Sequence, residues 1–219
     1  MSVQQLWQQM RVGSIDDMVG NTEALAELRG ITSGFVLIEG QMGCGKTSTA
    51  LAFAHERTGI KIEEHQAKSC LGRYHVSHIH ASAFDLDDAT QRKMFFYTST
   101  PTLIIVDEAQ EMTQKRQQSK LKTIPPRTDL TLVFCTTDPQ MIEASIRDRC
   151  AKVRLGPLSA RELPVLVKRA CEARGVPYST ALVQAMNRSE CFRPRAIFNA
   201  VDALARGKSI EQAVAGQAA

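Results

Sequence analysis

The chain has 219 residues, enough for one sizeable core with a smaller satellite, and 43% hydrophobic with 23% charged residues is the balance of a water-soluble globular protein. No segment approaches the roughly 20 consecutive apolar residues that cross a bilayer, and the polar start Met1-Ser2-Val3-Gln4-Gln5 lacks the form of a secretory leader, so a cytoplasmic protein with no membrane partner is expected. A net charge of +4 is compatible with nucleic acid without requiring it, and six scattered cysteines without close pairs favour reduced thiols over a disulfide framework.

The first strong element is the apolar run Phe35-Val36-Leu37-Ile38, which predicts a buried strand over Phe35 to Glu39. Gly40-Gln41-Met42-Gly43-Cys44-Gly45-Lys46-Thr47 follows directly and leads into a predicted helix from about Thr47 to Glu56. A glycine-rich loop between strand and helix is a phosphate cradle: its glycines let successive backbone N–H groups turn inward, and the helix N-terminus adds roughly half a positive charge. Gly40, Gly43, Cys44, Gly45 and Ser48 frame this cradle, Lys46 is placed to reach the β- and γ-phosphates of ATP, and the Thr47 hydroxyl is a ligand for Mg²⁺. Cys44 reads as a small residue filling the loop, with an oxidation-sensitive thiol beside Lys46 as the alternative.

A second strand is predicted over Tyr74 to His80. His65, Cys70, His75, His78 and His80 crowd this region; with one cysteine present and His78 alternating with His80, strand or surface histidines are a simpler reading than a zinc site. Beyond a predicted helix over Asp87 to Tyr97, Leu103-Ile104-Ile105-Val106 reads as a strand buried in a parallel sheet. Its C-terminal end, where ligands sit in open α/β folds, carries Asp107 and Glu108. Asp107 suits the Mg²⁺ shell, and Glu108 the orientation and partial deprotonation of an attacking water. Cradle, metal acid and water-positioning acid together point to ATP hydrolysis rather than phosphate binding alone.

A helix predicted over Gln114 to Thr123 carries Lys115, Arg116, Lys120 and Lys122, either a solvated face or one that neutralises DNA phosphates. Strands follow over Leu130 to Cys135 and Lys152 to Leu155, with a second basic cluster of Arg147, Arg149, Lys152 and Arg154. Strands alternating with helices predict an α/β fold, a P-loop core whose parallel sheet is flanked by helices. Gly156-Pro157 breaks the pattern, and no strand signal follows. Ser159 with Glu162 reads as a capping box opening a helix that sets Leu163, Leu166, Val167 and Ala170 on one face. Gly175-Val176-Pro177 ends it, and helices near Ser179 to Arg188, Arg193 to Arg206 and from Ser209 complete a small all-helical domain. The expected division is a nucleotide-binding core at 1–156 and a helical lid at 157–219.

With these motifs in this order the chain resembles the AAA+ ATPases, and among them the clamp-loader subunits: bacterial tau/gamma and the small subunits of replication factor C. Asp16-Asp17-Met18-Val19-Gly20-Asn21 is similar to the family's segment ahead of the phosphate loop. Arg11 stands where the family has an Arg-Pro pair, with Val12 replacing the proline; the resemblance makes Val12 and Val19 the adenine-side contacts. Phe134-Cys135-Thr136-Thr137-Asp138-Pro139-Gln140 is similar to the tau/gamma segment that carries the sensor 1 residue, a role falling on Thr137. Ile146-Arg147-Asp148-Arg149-Cys150 resembles the Ser-Arg-Cys motif, whose arginine enters the neighbouring subunit's ATP site. Asp148 stands where the family has serine; Arg149 is the candidate finger and Arg147 a second one. Phe192-Arg193-Pro194-Arg195-Ala196-Ile197-Phe198-Asn199 looks like the lid's sensor 2 segment, with Arg195 aimed at the γ-phosphate.

The resemblance implies an Mg-dependent ATPase that assembles with other AAA+ subunits, as a homo- or hetero-oligomeric ring or spiral, and works on a sliding clamp and primed DNA in replication. Clamp-loader subunits normally continue into a helical collar, and this sequence stops where that domain begins. A shortened or minimal form, a helicase loader, a transposition regulator and a nucleotide-gated DNA scaffold with little turnover are therefore rival expectations. A small-molecule P-loop kinase is disfavoured by the sensor-like residues.

Overall fold

The computed structural model describes residues 5–70, 73–88, 100–112, 120–125 and 127–217. Its strands are β1 (Gly34–Glu39), β2 (Ala67–Cys70), β3 (Tyr74–His80), β4 (Thr102–Asp107), β5 (Leu130–Thr136) and β6 (Cys150–Arg154). They form one sheet in the order β2-β3-β4-β5-β1-β6, parallel throughout except where β2 pairs antiparallel with β3. The sheet is thus mixed at one edge. Ala67-Lys68-Ser69-Cys70 has no apolar alternation to announce a strand, and β2 is defined by backbone pairing to β3 instead.

The central strands show no polar alternation because both faces of the sheet are covered, and successive residues feed opposite layers. Val36 and Ile38 of β1 join Ile105, Val133 and the Ala50-Phe53-Ala54 face of helix α3 (Lys46–Thr58), with Leu25 and Leu28 of α2 (Thr22–Gly30), in one layer. Phe35 and Leu37 join Ile104, Val106, Leu132 and Phe134 in the other, under Ala109, Leu121 and Ile146. Each fully buried Leu or Ile here contributes about 1.5–3 kcal/mol. The sequence reading leaves α2 unassigned.

A short helix, α4 (Ala144–Arg147), precedes β6, and four helices follow: α5 (Leu163–Arg174), α6 (Thr180–Arg188), α7 (Pro194–Ala205) and α8 (Ile210–Ala215). Ser179 caps α6 by accepting the Leu182 N–H, and Ser209 with Gln212 forms a capping box on α8. At α5 the expected start moves: the Glu162 carboxylate folds back to accept the Ser159 N–H and hydroxyl at 2.7 and 2.8 Å, and regular helix begins only at Leu163. The amino-terminal helix α1 (Leu6–Gln9), also unannounced in sequence, packs into this helical layer: Leu6 is fully buried there, and its N–H donates to Asp202 at 2.9 Å. Asp202 in turn holds Arg174 at 2.7 Å.

Between the layers, the Asn21 amide clasps Gly156, accepting its N–H at 2.8 Å and donating to its carbonyl at 3.2 Å. Positions 89–97 of the helix expected over Asp87 to Tyr97, and 114–119 of the one expected over Gln114 to Thr123, with Lys115 and Arg116, lie outside the described residues. Leu121–Thr123 is a single 3-10 turn.

Candidate active site

Parallel pairing aligns the ends of β1, β4 and β5: Glu39 stands beside Thr136 and Val106 beside Phe134. The glycine loop, the Asp107-Glu108 pair and Thr137 therefore emerge on one rim of the sheet. A cavity of about 370 Å³ opens there, between the loop, residues 7–13 and helices α5 and α7. Val12, Val19, Gly43, Cys44, Gly45, Lys46, Thr47, Ser48, Glu108 and Arg195 line it; Gly40, Asp107, Thr137 and Arg149 do not.

Gly45 has φ +93°, a left-handed conformation that lets the chain turn directly into α3. Lys46 is buried, and its ammonium donates to the carbonyls of Gly40 and Gln41 at 2.9 and 3.2 Å, inside the loop. The Thr47 hydroxyl donates to Asp107 Oδ2 at 2.8 Å, tying the loop after β1 to the end of β4. Two hard oxygen groups this close fit Mg²⁺, which takes one or two protein ligands and completes its shell with water and phosphate oxygens.

Burial pushes the Asp107 carboxyl up, but the close approach of the His78 ring and the hydrogen bond from the Thr47 hydroxyl outweigh it and hold the group below its ordinary value, as an anion. His78 is not a surface histidine: its side chain is completely buried beneath Asp107, with Nε2 3.4 Å from Oδ2. Its Nδ1 accepts the His65 N–H at 2.8 Å, which leaves the ring proton of the neutral imidazole on Nε2, facing the carboxylate. Among the described residues no His, Cys, Asp and Glu side chains form a metal cluster. Cys44 is buried too, and burial raises its thiol pKa, the opposite of a reactive thiolate.

Glu108 adopts the left-handed region, φ 50° and ψ 46°, a conformation that turns the chain away from the strand and into a 3-10 turn over Ala109–Glu111. Its carboxylate accepts the Gln110 amide at 2.6 Å. The same Gln110 accepts the Thr136 hydroxyl at 2.9 Å and the Thr137 N–H at 3.3 Å. Of the two threonines, Thr136 is fully buried and turned to Gln110, whereas Thr137 is exposed.

From the helical side, the backbone N–H of Arg195 donates to Gly43 O at 3.2 Å, and its guanidinium lies over the Trp7 ring, 5.3 Å from the centroid. Arg11 sits over the same ring at 5.4 Å and pairs with Glu64 at 2.5 Å. Trp7, Met10, Leu166 and Phe198 supply an apolar wall. Sequence reasoning misses the first two; the signal available is a lone tryptophan four residues before Arg11.

Arg149 lies at the far end of the sheet, since Cys150 pairs with Phe35 at the start of β1 while the cradle follows Glu39 at its end. Its guanidinium donates to Leu121 O and Ile124 O at 3.2 and 2.9 Å and stacks on Phe35 at 4.5 Å, with Asp148 not involved. Arg147 is engaged by Pro139 O and Gln140 Oε1 at 3.1 and 2.6 Å. Of the first basic cluster, Lys120 pairs with Asp85 and Asp87, and Lys122 with Glu143 at 2.6 Å.

The family model for the ATPase family associated with various cellular activities (AAA) matches residues 36–158. Replication factor C subunit 2 of Arabidopsis thaliana is 30% identical over 174 residues, 77% of this chain and 51% of that protein. DNA polymerase III subunit gamma/tau of Mycobacterium tuberculosis is 27% identical over 224 residues, 92% of this chain and 39% of that protein. The chain thus spans about half the length, or less, of the curated relatives it matches. A solved structure of the Thermotoga maritima RuvB Holliday junction branch migration motor superposes with a TM-score of 0.62 at 19% identity, covering 94% of this chain and 71% of that one, a likeness of fold alone.

Proposed function

The chain belongs to the AAA family of ATPases, and on that premise we propose that it is an Mg-dependent, ATP-hydrolysing subunit of a clamp-loader-like assembly acting in DNA replication. The observation that carries this reading is the Thr47–Asp107 hydrogen bond, which joins the phosphate loop to the strand end bearing Glu108, in a cavity that Arg195 also lines. Lys46 binds the β- and γ-phosphates, the Thr47 hydroxyl and Asp107 hold Mg²⁺, and Glu108 takes up the proton of an attacking water. Gly40, Gly43, Gly45 and Ser48 shape the cradle, and Val12 and Val19 flank the base. Thr137 and Arg195 read the γ-phosphate. Residues 1–156 act as core and 157–219 as lid, except that α1 near the start of the chain packs with the lid, and ATP binds at their joint.

Arg149 serves a neighbour rather than its own chain. That reading is supported by its seat at the opposite end of the sheet from the cradle. A guanidinium delivered in trans to the transferring phosphoryl group is worth about 10³–10⁵ in rate. Binding it across an interface requires leaving the Leu121 and Ile124 carbonyls, which couples hydrolysis to assembly. The partners are other AAA+ subunits, a sliding clamp and primed DNA, and the setting is cytoplasmic; no helix among the described residues is long and apolar enough to cross a membrane.

The test is steady-state ATP hydrolysis over a range of protein concentrations, with and without primed DNA and clamp, alongside sedimentation with and without ATP. Turnover per subunit rises with concentration, with nucleotide-dependent assembly, and with DNA plus clamp. A protein that stays monomeric in saturating ATP and hydrolyses at a concentration-independent rate refutes the assembly reading.

A further inference from the structure

Gln110 is the one described side chain that hydrogen bonds both to Glu108 and to the end of β5. Its amide is used at both ends: Nε2 donates to Glu108 Oε2 at 2.6 Å, and Oε1 accepts the Thr136 hydroxyl at 2.9 Å and the Thr137 N–H at 3.3 Å. The orientation is dictated by its partners. A flipped amide sets its NH₂ against the Thr137 N–H, a donor that cannot invert, and its oxygen against the Glu108 carboxylate, an acceptor without a proton.

An amide is therefore the group this position calls for. A carboxylate of the same length has no proton for Glu108 and repels it at 2.6 Å, while an apolar side chain offers Glu108 no donor and the Thr137 N–H no acceptor; the Thr136 hydroxyl keeps Asp138, whose carbonyl accepts from it and whose N–H donates to it, both at 3.1 Å. Glu108 needs such a guide because it lies past the last residue of β4, in a left-handed backbone conformation, and is only half buried. One oxygen of the carboxylate, Oε2, is held by Gln110, and Glu108 lines the cavity.

We propose that Gln110 is a positioning residue for hydrolysis: it sets the Glu108 carboxylate against the end of β5, so that the water-activating group and the Thr137 backbone move as one unit. This rests on the reading of Glu108 as the group that activates water. Gln110 does not line the cavity; it acts through Glu108.

Five variants separate the possibilities: Glu108→Gln, Gln110→Ala, the isosteric Gln110→Glu, and Thr136→Val alone and combined with Gln110→Ala. For each, kcat and KM for ATP are measured beside the Kd of a fluorescent ATP analogue and the thermal midpoint. Displacing a catalytic group by about 1 Å costs on the order of 10²-fold in rate, so Gln110→Ala and Gln110→Glu lower kcat by 10- to 100-fold while KM, Kd and Tm hold within twofold or a few degrees. Adding Thr136→Val to Gln110→Ala lowers kcat no further, because the link to Glu108 is already gone, while Tm falls with the loss of the Thr136 hydroxyl's bonds to the Asp138 backbone. Wild-type kcat in both Gln110 variants, with Glu108→Gln inactive, overturns the inference and leaves the reading of Glu108 intact. Full turnover in Glu108→Gln overturns that reading itself. A Gln110→Glu protein that loses kcat, nucleotide affinity and Tm together shows a merely structural role.

Discussion

The backbone N–H of Arg195 donates to the carbonyl of Gly43, 3.2 Å away, so the first turn of α7 is bonded to the loop it faces. Position 43 tolerates that approach because it has no side chain: a Cβ there meets the Arg195 Cβ at 3.0 Å, and φ is +84°. Core and helical layer therefore touch through the cradle itself, and a change in loop shape is felt by α7 directly.

Gly43→Ala is accordingly expected to cost roughly 1–3 kcal/mol through left-handed strain, with the close approach to Arg195 adding to it. For a chain of this size each kcal/mol lowers Tm by about 2–4 °C. Nucleotide affinity falls with it. Arg195→Ala keeps the backbone bond, so it lowers kcat with Tm near that of the parent. Thermal melts beside nucleotide titrations distinguish the two.

Lys46→Ala and Arg149→Ala damage different halves of a shared site if the finger acts in trans. Each is inactive alone. Mixed, they recover turnover, because an intact cradle on one chain meets an intact Arg149 on another. No recovery at any mixing ratio, with both variants still assembling, argues that Arg149 is held to its own Leu121 and Ile124 carbonyls for good.

His78→Phe removes the imidazole N–H from Asp107 while filling the same buried space. Loss of such an outer partner typically weakens metal binding about 10–100-fold, so the Mg²⁺ concentration for half-maximal nucleotide binding rises by that factor. Saturating Mg²⁺ restores binding. A Mg²⁺ titration of fluorescent-nucleotide binding at constant ATP analogue gives the answer.

Burial lowers the His75 pKa below 6.5, and its Nε2 is buried without a hydrogen-bond partner. A depressed folded-state value means the unfolded chain binds the proton more readily. The contribution is fully present above about pH 6.5, and is lost as pH falls through the folded value. Unfolding midpoints followed from pH 7.5 to 5 decline for the parent, and His75→Leu flattens that decline by about one proton's worth of slope.

Legibility tracked how local the determining physics was. The β1 and β4 strands were readable because apolar runs such as Val36-Leu37-Ile38 and Ile104-Ile105-Val106 are buried on both faces, and the cradle because its glycines and Lys46 sit at fixed spacing on one loop. The short edge strand β2 was not, since its pairing with β3 rests on backbone bonds that any side chains permit. Nor was α1, whose place depends on Asp202 near the other end of the chain.

By itself the sequence determined which groups sit where along the chain: a phosphate loop after one strand, two acids after another, arginines at Arg149 and Arg195. Local spacing sets those because a loop or helix start needs only its own neighbours. Tertiary structure alone decided what each group faces. It buried His78 beneath Asp107, set Gln110 between Glu108 and Thr137, laid Arg195 over Trp7, and held Arg149 at the opposite end of the sheet from the cradle. These pairings join residues up to 188 positions apart, as Trp7 and Arg195 are. Sheet register and the docking of α1 and α7 bring such residues together, through packing energies that no local pattern encodes.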